Sequence, residues 1–166
     1  MKTSFLVTLL LFILFGYAQP QSVLMSPQEQ ETAKKEVKEV VHEIFQSLEK
    51  MDIEGLSMSY LSSADYILFT TDGTMADYQT AKDHHAKWFK SLSSLKVTTI
   101  KEEFRFLSGN IAICPWLGTF DMMLKSGKQM KINFAITFVF SKIDDQWKVV
   151  YQQSSALPLA KEKPAN

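Results

Sequence analysis

Cysteine occurs once in the 166 residues, at Cys114, so the chain has no internal disulfide available to it. The flanking sequence, Ile113-Cys114-Pro115-Trp116, brings no positive charge that would activate the thiol, and a packed, inert side chain is expected there. Neither sign of charge dominates: Lys+Arg and Asp+Glu number 18 each. A chain without a basic stripe lacks the electrostatic term that drives nucleic-acid binding. There is no glycine-rich phosphate loop, no nucleophile elbow and no zinc signature. Asp72-Gly73-Thr74 reads as a turn, because the further acids of a calcium loop are missing. Histidine is scarce too, with three in all. Adjacent helical residues such as His84 and His85 point about 100° apart, so they do not form a convergent metal pair. No metal and no cofactor are expected.

Long hydrophobic runs are also missing, with one instructive exception. After Lys2, Phe5–Phe15 is apolar apart from Thr8, and Gly16-Tyr17-Ala18 supplies small residues for cleavage. The run is short of the roughly 20 residues that span a bilayer. It has the form of a secretory signal peptide cut after Ala18, which would leave a periplasmic or secreted protein with no membrane attachment. No cysteine stands at the cut to carry a lipid.

What is present is enough apolar material for one domain: 46% hydrophobic and 12% aromatic residues. Ser26-Pro27-Gln28-Glu29 has the form of a capping box with proline at the first helical position. An apolar stripe through Val37, Val40, Val41, Ile44, Phe45 and Leu48 carries that helix to Met51, with His42 at its boundary. Asp52 is placed to cap a short second helix over 53–61. Tyr66–Thr70 and Thr74–Asp77 flank Asp72-Gly73 as a short strand pair. A third helix follows over 78–92, with Tyr78, Ala81, His85, Trp88, Phe89 and Leu92 on its stripe.

The rest reads as strands over 97–108, 111–125, 128–142 and 146–153, broken at Gly109-Asn110, Ser126-Gly127 and Asp144-Asp145. Two-residue loops at all three breaks would collect Glu102, Phe104, Phe106, Leu117, Asp121, Phe134, Phe138, Trp147, Tyr151 and Gln153 on the helix-facing side. Trp116, Phe120, Thr137, Val139 and Val150 would then lie on the outer side as a partner surface. Pro115 is a candidate for a bulge.

Helix, helix, strand pair, helix and a curved antiparallel sheet form an order that resembles the nuclear-transport-factor-2-like superfamily, in its exported SnoaL-like branch. The resemblance rests on EVVHEIFQSLEKMDIEGL, YLSSADYILFTTDG and, above all, TFVFSKIDDQWKVVYQQSSALP. It implies an α+β cone: a strongly curved antiparallel sheet wrapped around three N-terminal-half helices, with an internal pocket. It also implies dimers that pack through the outer sheet face. The single domain would cover 26–158, with a disordered tail over 159–166. Relatives commonly carry a histidine just before the terminal serines of the last strand. Gln153 stands at that position here, and glutamine cannot titrate. The superfamily hosts isomerases, cyclases and dehydratases, so the fold alone does not name a reaction.

The expected pocket residues are Tyr60, His85, Trp88, Glu102, Asp121, Phe138, Tyr151 and Gln153. An acid on an apolar face, such as Glu102 or Asp121, must be paired, solvated or protonated. The preferred expectation is a homodimer that binds a small, mostly apolar molecule without transforming it. The alternatives are a cofactor-independent isomerase, cyclase or dehydratase using His85 with Asp121 or Tyr60, and an assembly module acting through the outer face.

Overall fold

In the computed structural model, residues 25–157 are described; the expected signal peptide and the polar tail fall outside them. Helix α1 (Pro27–Lys50) begins where the capping box is read: Ser26 Oγ accepts from the Glu29 N–H, and Glu29 Oε2 accepts from the Ser26 N–H. It ends at Met51, in the left-handed region at φ 54°. Its stripe of Val37, Val41, Ile44, Phe45 and Leu48 is buried. Helix α2 (Ile53–Met58) is shorter than the sequence suggests, and Asp52 caps it by accepting from the Gly55 N–H. Strands β1 (Ile67–Phe69) and β2 (Met75–Ala76) form the short pair, and α3 (Tyr78–Ser91) follows, capped by Asp77.

The remaining strands are β3 (Leu92–Glu102), β4 (Arg105–Ser108), β5 (Ile111–Leu124), β6 (Gln129–Ile143) and β7 (Gln146–Leu157). They complete a seven-stranded sheet in the order β2-β1-β7-β6-β5-β3, with β4 also on β5. All pairs are antiparallel except β1 with β7, which is parallel, so the sheet is mixed. The expected α+β fold of helices against a sheet is the fold observed. The expected long strand over 97–108 is instead two strands broken at Glu103-Phe104. Opposite that break lies Pro115, which has no N–H to donate, while the Glu103 N–H bonds the Pro115 carbonyl. Pro115 itself produces no bulge toward β6, where it pairs in register with Thr137.

Two register features change which side chains face the helices. The β5–β6 loop has three residues, Lys125-Ser126-Gly127, rather than two. The Gly127 N–H bonds the Leu124 carbonyl, the Leu124 N–H bonds the Lys128 carbonyl, and Gly127 has φ 84°. This is a turn closed by a glycine bulge, which β-branched or bulky residues resist. The extra residue moves β5 by one position against β6, so Cys114, Trp116 and Phe120 sit beside Phe138, Ile136 and Ile132. A slip of one exchanges the faces of a whole strand. Trp116 and Phe120 are therefore core residues, 2% and 6% exposed, and not the outer surface expected of them. Asp121 moves the other way, to the outer face opposite Lys131.

The second feature is a bulge at Val150 in β7. Val149 pairs with Phe140, but Tyr151 already pairs with Val139. Before the bulge, Trp147 points inward as expected, and Val149 shares its face. After it, Gln152 and Ser154 take the inward positions, and Tyr151 and Gln153 leave them. Thr137, Val139 and Val150 are half-buried.

The core is an aromatic stack between α1 and the sheet. Phe45 lies 4.5 Å from the Trp116 ring and 6.2 Å from that of Phe138. The Trp116 indole folds over Gly118 and donates from Nε1 to Thr99 Oγ1 at 2.9 Å. Cys114 is fully buried, and desolvation, with Glu102 nearby, pushes its thiol up to about 12, the inert state expected of it.

Candidate ligand-binding cavity

The sheet curves away from α1 and α3 beyond this stack and leaves a cavity of about 760 Å³. That is within the roughly 300–1,000 Å³ of sites that hold drug-sized molecules. Its floor is buried and apolar: Ile44, Phe45 and Leu48 from α1, Leu68 from β1, Phe120 and Met122 from β5, and Ile136 and Phe138 from β6. Trp88 from α3 stacks on Phe120 at 6.4 Å and 19°, and Phe120 meets Phe134 at 4.8 Å. These rings form one continuous aromatic wall. The exposed lining residues are Thr71, His84, Lys87 and Ser91. They mark the mouth.

Two polar features interrupt the apolar interior. The first is a relay of neutral groups. Tyr60 donates to Gln152 Oε1 at 2.9 Å, and Gln152 Nε2 donates to Ser154 Oγ at 3.0 Å. Tyr60 is held beside β7 by backbone bonds on either side: the Leu61 N–H to the Val149 carbonyl and the Val149 N–H to the Ser59 carbonyl. Burial drives the Tyr60 phenol far above its ordinary range, so it stays protonated. The Gln152–Ser154 bond consumes an acceptor site of Ser154 and leaves its hydroxyl proton available to the cavity it lines.

The second feature is His85. Its Nδ1–H donates to the Ala81 carbonyl at 2.8 Å, which fixes the tautomer and leaves Nε2 as an acceptor. Burial lowers its pKa below the ordinary 6.5; the bond to Ala81 opposes this and His84 adds to it. The ring is neutral near pH 7 and can accept a proton or a hydrogen bond.

Of the pocket residues expected from sequence, Tyr60, His85, Trp88 and Phe138 line this cavity together. Glu102, Asp121, Tyr151 and Gln153 do not. Glu102 faces α1 and pairs with Lys38 at 3.2 Å. Asp121 accepts from Gln129 Nε2 at 3.1 Å on the outer face. Tyr151 donates to Gln153 Oε1 at 3.1 Å, both turned away by the Val150 bulge. Tyr60, a candidate helper of His85, bonds Gln152 and not the imidazole. Sequence reasoning missed Gln152, Ser154, Phe120 and Met122. Gly127 as the third residue of Lys-Ser-Gly signals the register of the last two. The consecutive valines Val149-Val150 are the one hint of the bulge that turns Gln152 inward. Among the described residues, no three His, Cys, Asp or Glu side chains cluster as a metal site, and no helix is long and apolar enough to cross a membrane.

Curved sheet and helices together enclose this apolar cavity. Residues 37–160 match the model of the SnoaL-like domain, and the chain belongs to that family. No curated protein matches the sequence. Among solved structures, it is similar to a nuclear-transport-factor-2-like superfamily protein from Salmonella enterica serovar Typhimurium, with 15% identity and a TM-score of 0.73 over 82% of this chain and 99% of that one. A type 2 hexachlorocyclohexane dehydrochlorinase (LinA) aligns at 12% identity and a TM-score of 0.71 over 85% and 98% of the two chains. A protein proposed to be a dehydratase of the same superfamily, from Streptomyces avermitilis, aligns at 15% and 0.70 over 78% and 99%. At these identities the likeness is one of fold.

Proposed function

We propose that this protein binds a small, mostly apolar molecule in the cavity between sheet and helices, without transforming it. One observation carries the reading: a cavity of about 760 Å³ whose buried floor is apolar and whose interior polar groups are neutral. Such a lining rewards burial of apolar surface at roughly 25 cal/mol per Å² and offers hydrogen bonds that orient the guest. The test is titration with N-phenylnaphthylamine, an apolar dye that fluoresces when desolvated. Saturable enhancement is expected, and loss of it in Ile132→Trp, which puts bulk into the cavity. A folded wild-type protein that gives no enhancement sinks the reading.

His85 favours a second reading, a cofactor-independent acid–base enzyme. A neutral imidazole with a free Nε2 in an apolar cavity is a competent base. Its expected helpers weaken the case: Asp121 lies outside the cavity, and the Tyr60 proton is committed to Gln152. Two fold neighbours are described as a dehydrochlorinase and a proposed dehydratase, which is compatible with this reading but does not carry it. A substrate whose turnover survives His85→Ala would remove it.

The same proposal has the protein exported, with residues 1–18 removed, and dimeric through the outer sheet face. Thr137, Val139 and Val150 remain the candidates there, whereas Trp116 is core and its substitution would test folding instead. N-terminal sequencing of the protein from its host tests the cut after Ala18. Sedimentation of Val139→Arg tests the dimer: an unchanged association state excludes that face.

A further inference from the structure

The cavity is polarised from floor to mouth. Its buried floor, with Ile44, Leu68, Phe120, Ile136 and Phe138, carries no charge. Its exposed rim is polar throughout: Thr71, His84, Lys87 and Ser91. No aspartate or glutamate lines it anywhere. His84 and Lys87 are three apart on α3, so they share one edge of the opening.

Lys87 takes part in none of the ion pairs among the described residues. Four acids on α1, α2, α3 and the β1–β2 turn have partners of their own, although Asp83, one turn before Lys87 on α3, keeps its charge. Asp83 accepts from Gln79 Nε2 at 3.0 Å, and Glu54 pairs with Lys82 at 2.8 Å. The Asp72 carboxylate is held by the Thr70 hydroxyl and the Thr74 N–H, and Glu49 accepts from the Val97 N–H at 2.7 Å. The rim therefore presents an ammonium with no ion-pair partner among the described residues, a histidine and the Thr71 hydroxyl to whatever emerges from the apolar floor.

Resting on the binding reading above, we infer that the occupant is an amphiphilic acid: an apolar body in the cavity and a carboxylate at the mouth, facing Lys87 and His84. The rim hydroxyl of Thr71 donates to the same group, while the Ser91 hydroxyl donates to the Trp88 carbonyl at 2.7 Å. A cationic amphiphile meets an unpaired ammonium there, and a neutral one gains nothing from it. Lys87 is then a specificity residue, not a source of the bulk of the affinity, since an exposed pair is worth at most about fivefold.

The experiment displaces N-phenylnaphthylamine from the full mature protein with three compounds of one chain length: dodecanoate, dodecanol and dodecylammonium. At low salt the acid is expected to displace the dye about fivefold better than the alcohol, and the ammonium worst. Lys87→Gln is expected to bring acid and alcohol level, and Lys87→Glu to reverse acid and ammonium. Both substitutions lie on an exposed helical position, and dye affinity itself reports that the cavity is intact. Equal displacement by all three compounds, or a wild-type order kept in Lys87→Glu, overturns the inference and leaves the container reading standing. Displacement by none of them also overturns it. Failure of the dye to bind wild-type protein instead defeats the container reading itself.

Discussion

Substituting Tyr60 by Phe removes one hydroxyl and tests whether the polar relay is as dry as its geometry indicates. Tyr60 and Gln152 are 8% and 6% exposed, and their bond is 2.9 Å long. Without the phenol, Gln152 Oε1 keeps its burial and loses its donor. A buried acceptor stranded in this way costs about 1–3 kcal/mol, more than the net worth of an ordinary hydrogen bond. Gln152→Met strands the Tyr60 hydroxyl by the same logic, at a similar cost. The double variant strands neither group, because both partners of that bond are gone; only Ser154, which lines the cavity, stays polar. Its cost should fall short of the sum of the two single costs by about 1–2 kcal/mol, a coupling expected only of groups in contact. Urea unfolding of the four proteins measures this, provided the slope with denaturant is unchanged. A Tyr60→Phe cost below about 0.5 kcal/mol, with additive singles, would mean that cavity water rehydrates Gln152. The relay would then be a wet rim and not part of a dry interior.

Three further predictions concern the frame that holds the cavity. Gly118→Ala places a methyl against the Trp116 ring and the Thr98 carbonyl, so unfolding measurements should show a loss of about 1–3 kcal/mol from overpacking. Asp144 and Asp145 both have positive φ, at 48° and 59°, and Asn-Gly in their place should raise the stability by about 1 kcal/mol in the same assay. Glu36 accepts from Lys142 at 3.0 Å and from the Trp147 indole at 2.8 Å, and those bonds hold its carboxyl below the usual 4.5. A depressed carboxyl contributes stability above its unfolded pKa and loses it as pH falls through the folded value. The gap between wild type and Glu36→Gln, followed by thermal melting, should therefore be constant well above the ordinary 4.5 and narrow as pH falls below it through the depressed folded value.

The fold was legible because its signals are local and mutually consistent. The Ser26–Glu29 box, the Asp52 and Asp77 caps and the α1 stripe each specify a helix start or a buried face without reference to the rest of the chain. The Asp144-Asp145 turn does the same for the β6–β7 hairpin. The site was legible only in part, because membership of the cavity depends on strand parity. Parity is decided by single residues: the third loop position at Lys125-Ser126-Gly127 and the bulge at Val150. Helix-borne and loop-borne predictions, Tyr60, His85 and Trp88, survive such slips. Of the strand-borne ones, Phe138 is retained on β6, while Asp121 on β5 and Tyr151 and Gln153 on β7 are displaced. Glu102 on β3 kept its face but met Lys38 on α1 before it could reach the cavity.

Native mass spectrometry of the mature protein, purified from its own host without detergent, tests the central claim most directly. If the cavity holds an amphiphilic acid, each protomer carries a reproducible small extra mass, released on denaturation, acidic, and absent from Ile132→Trp. A clean protein mass, together with no saturable uptake of N-phenylnaphthylamine, would contradict the claim.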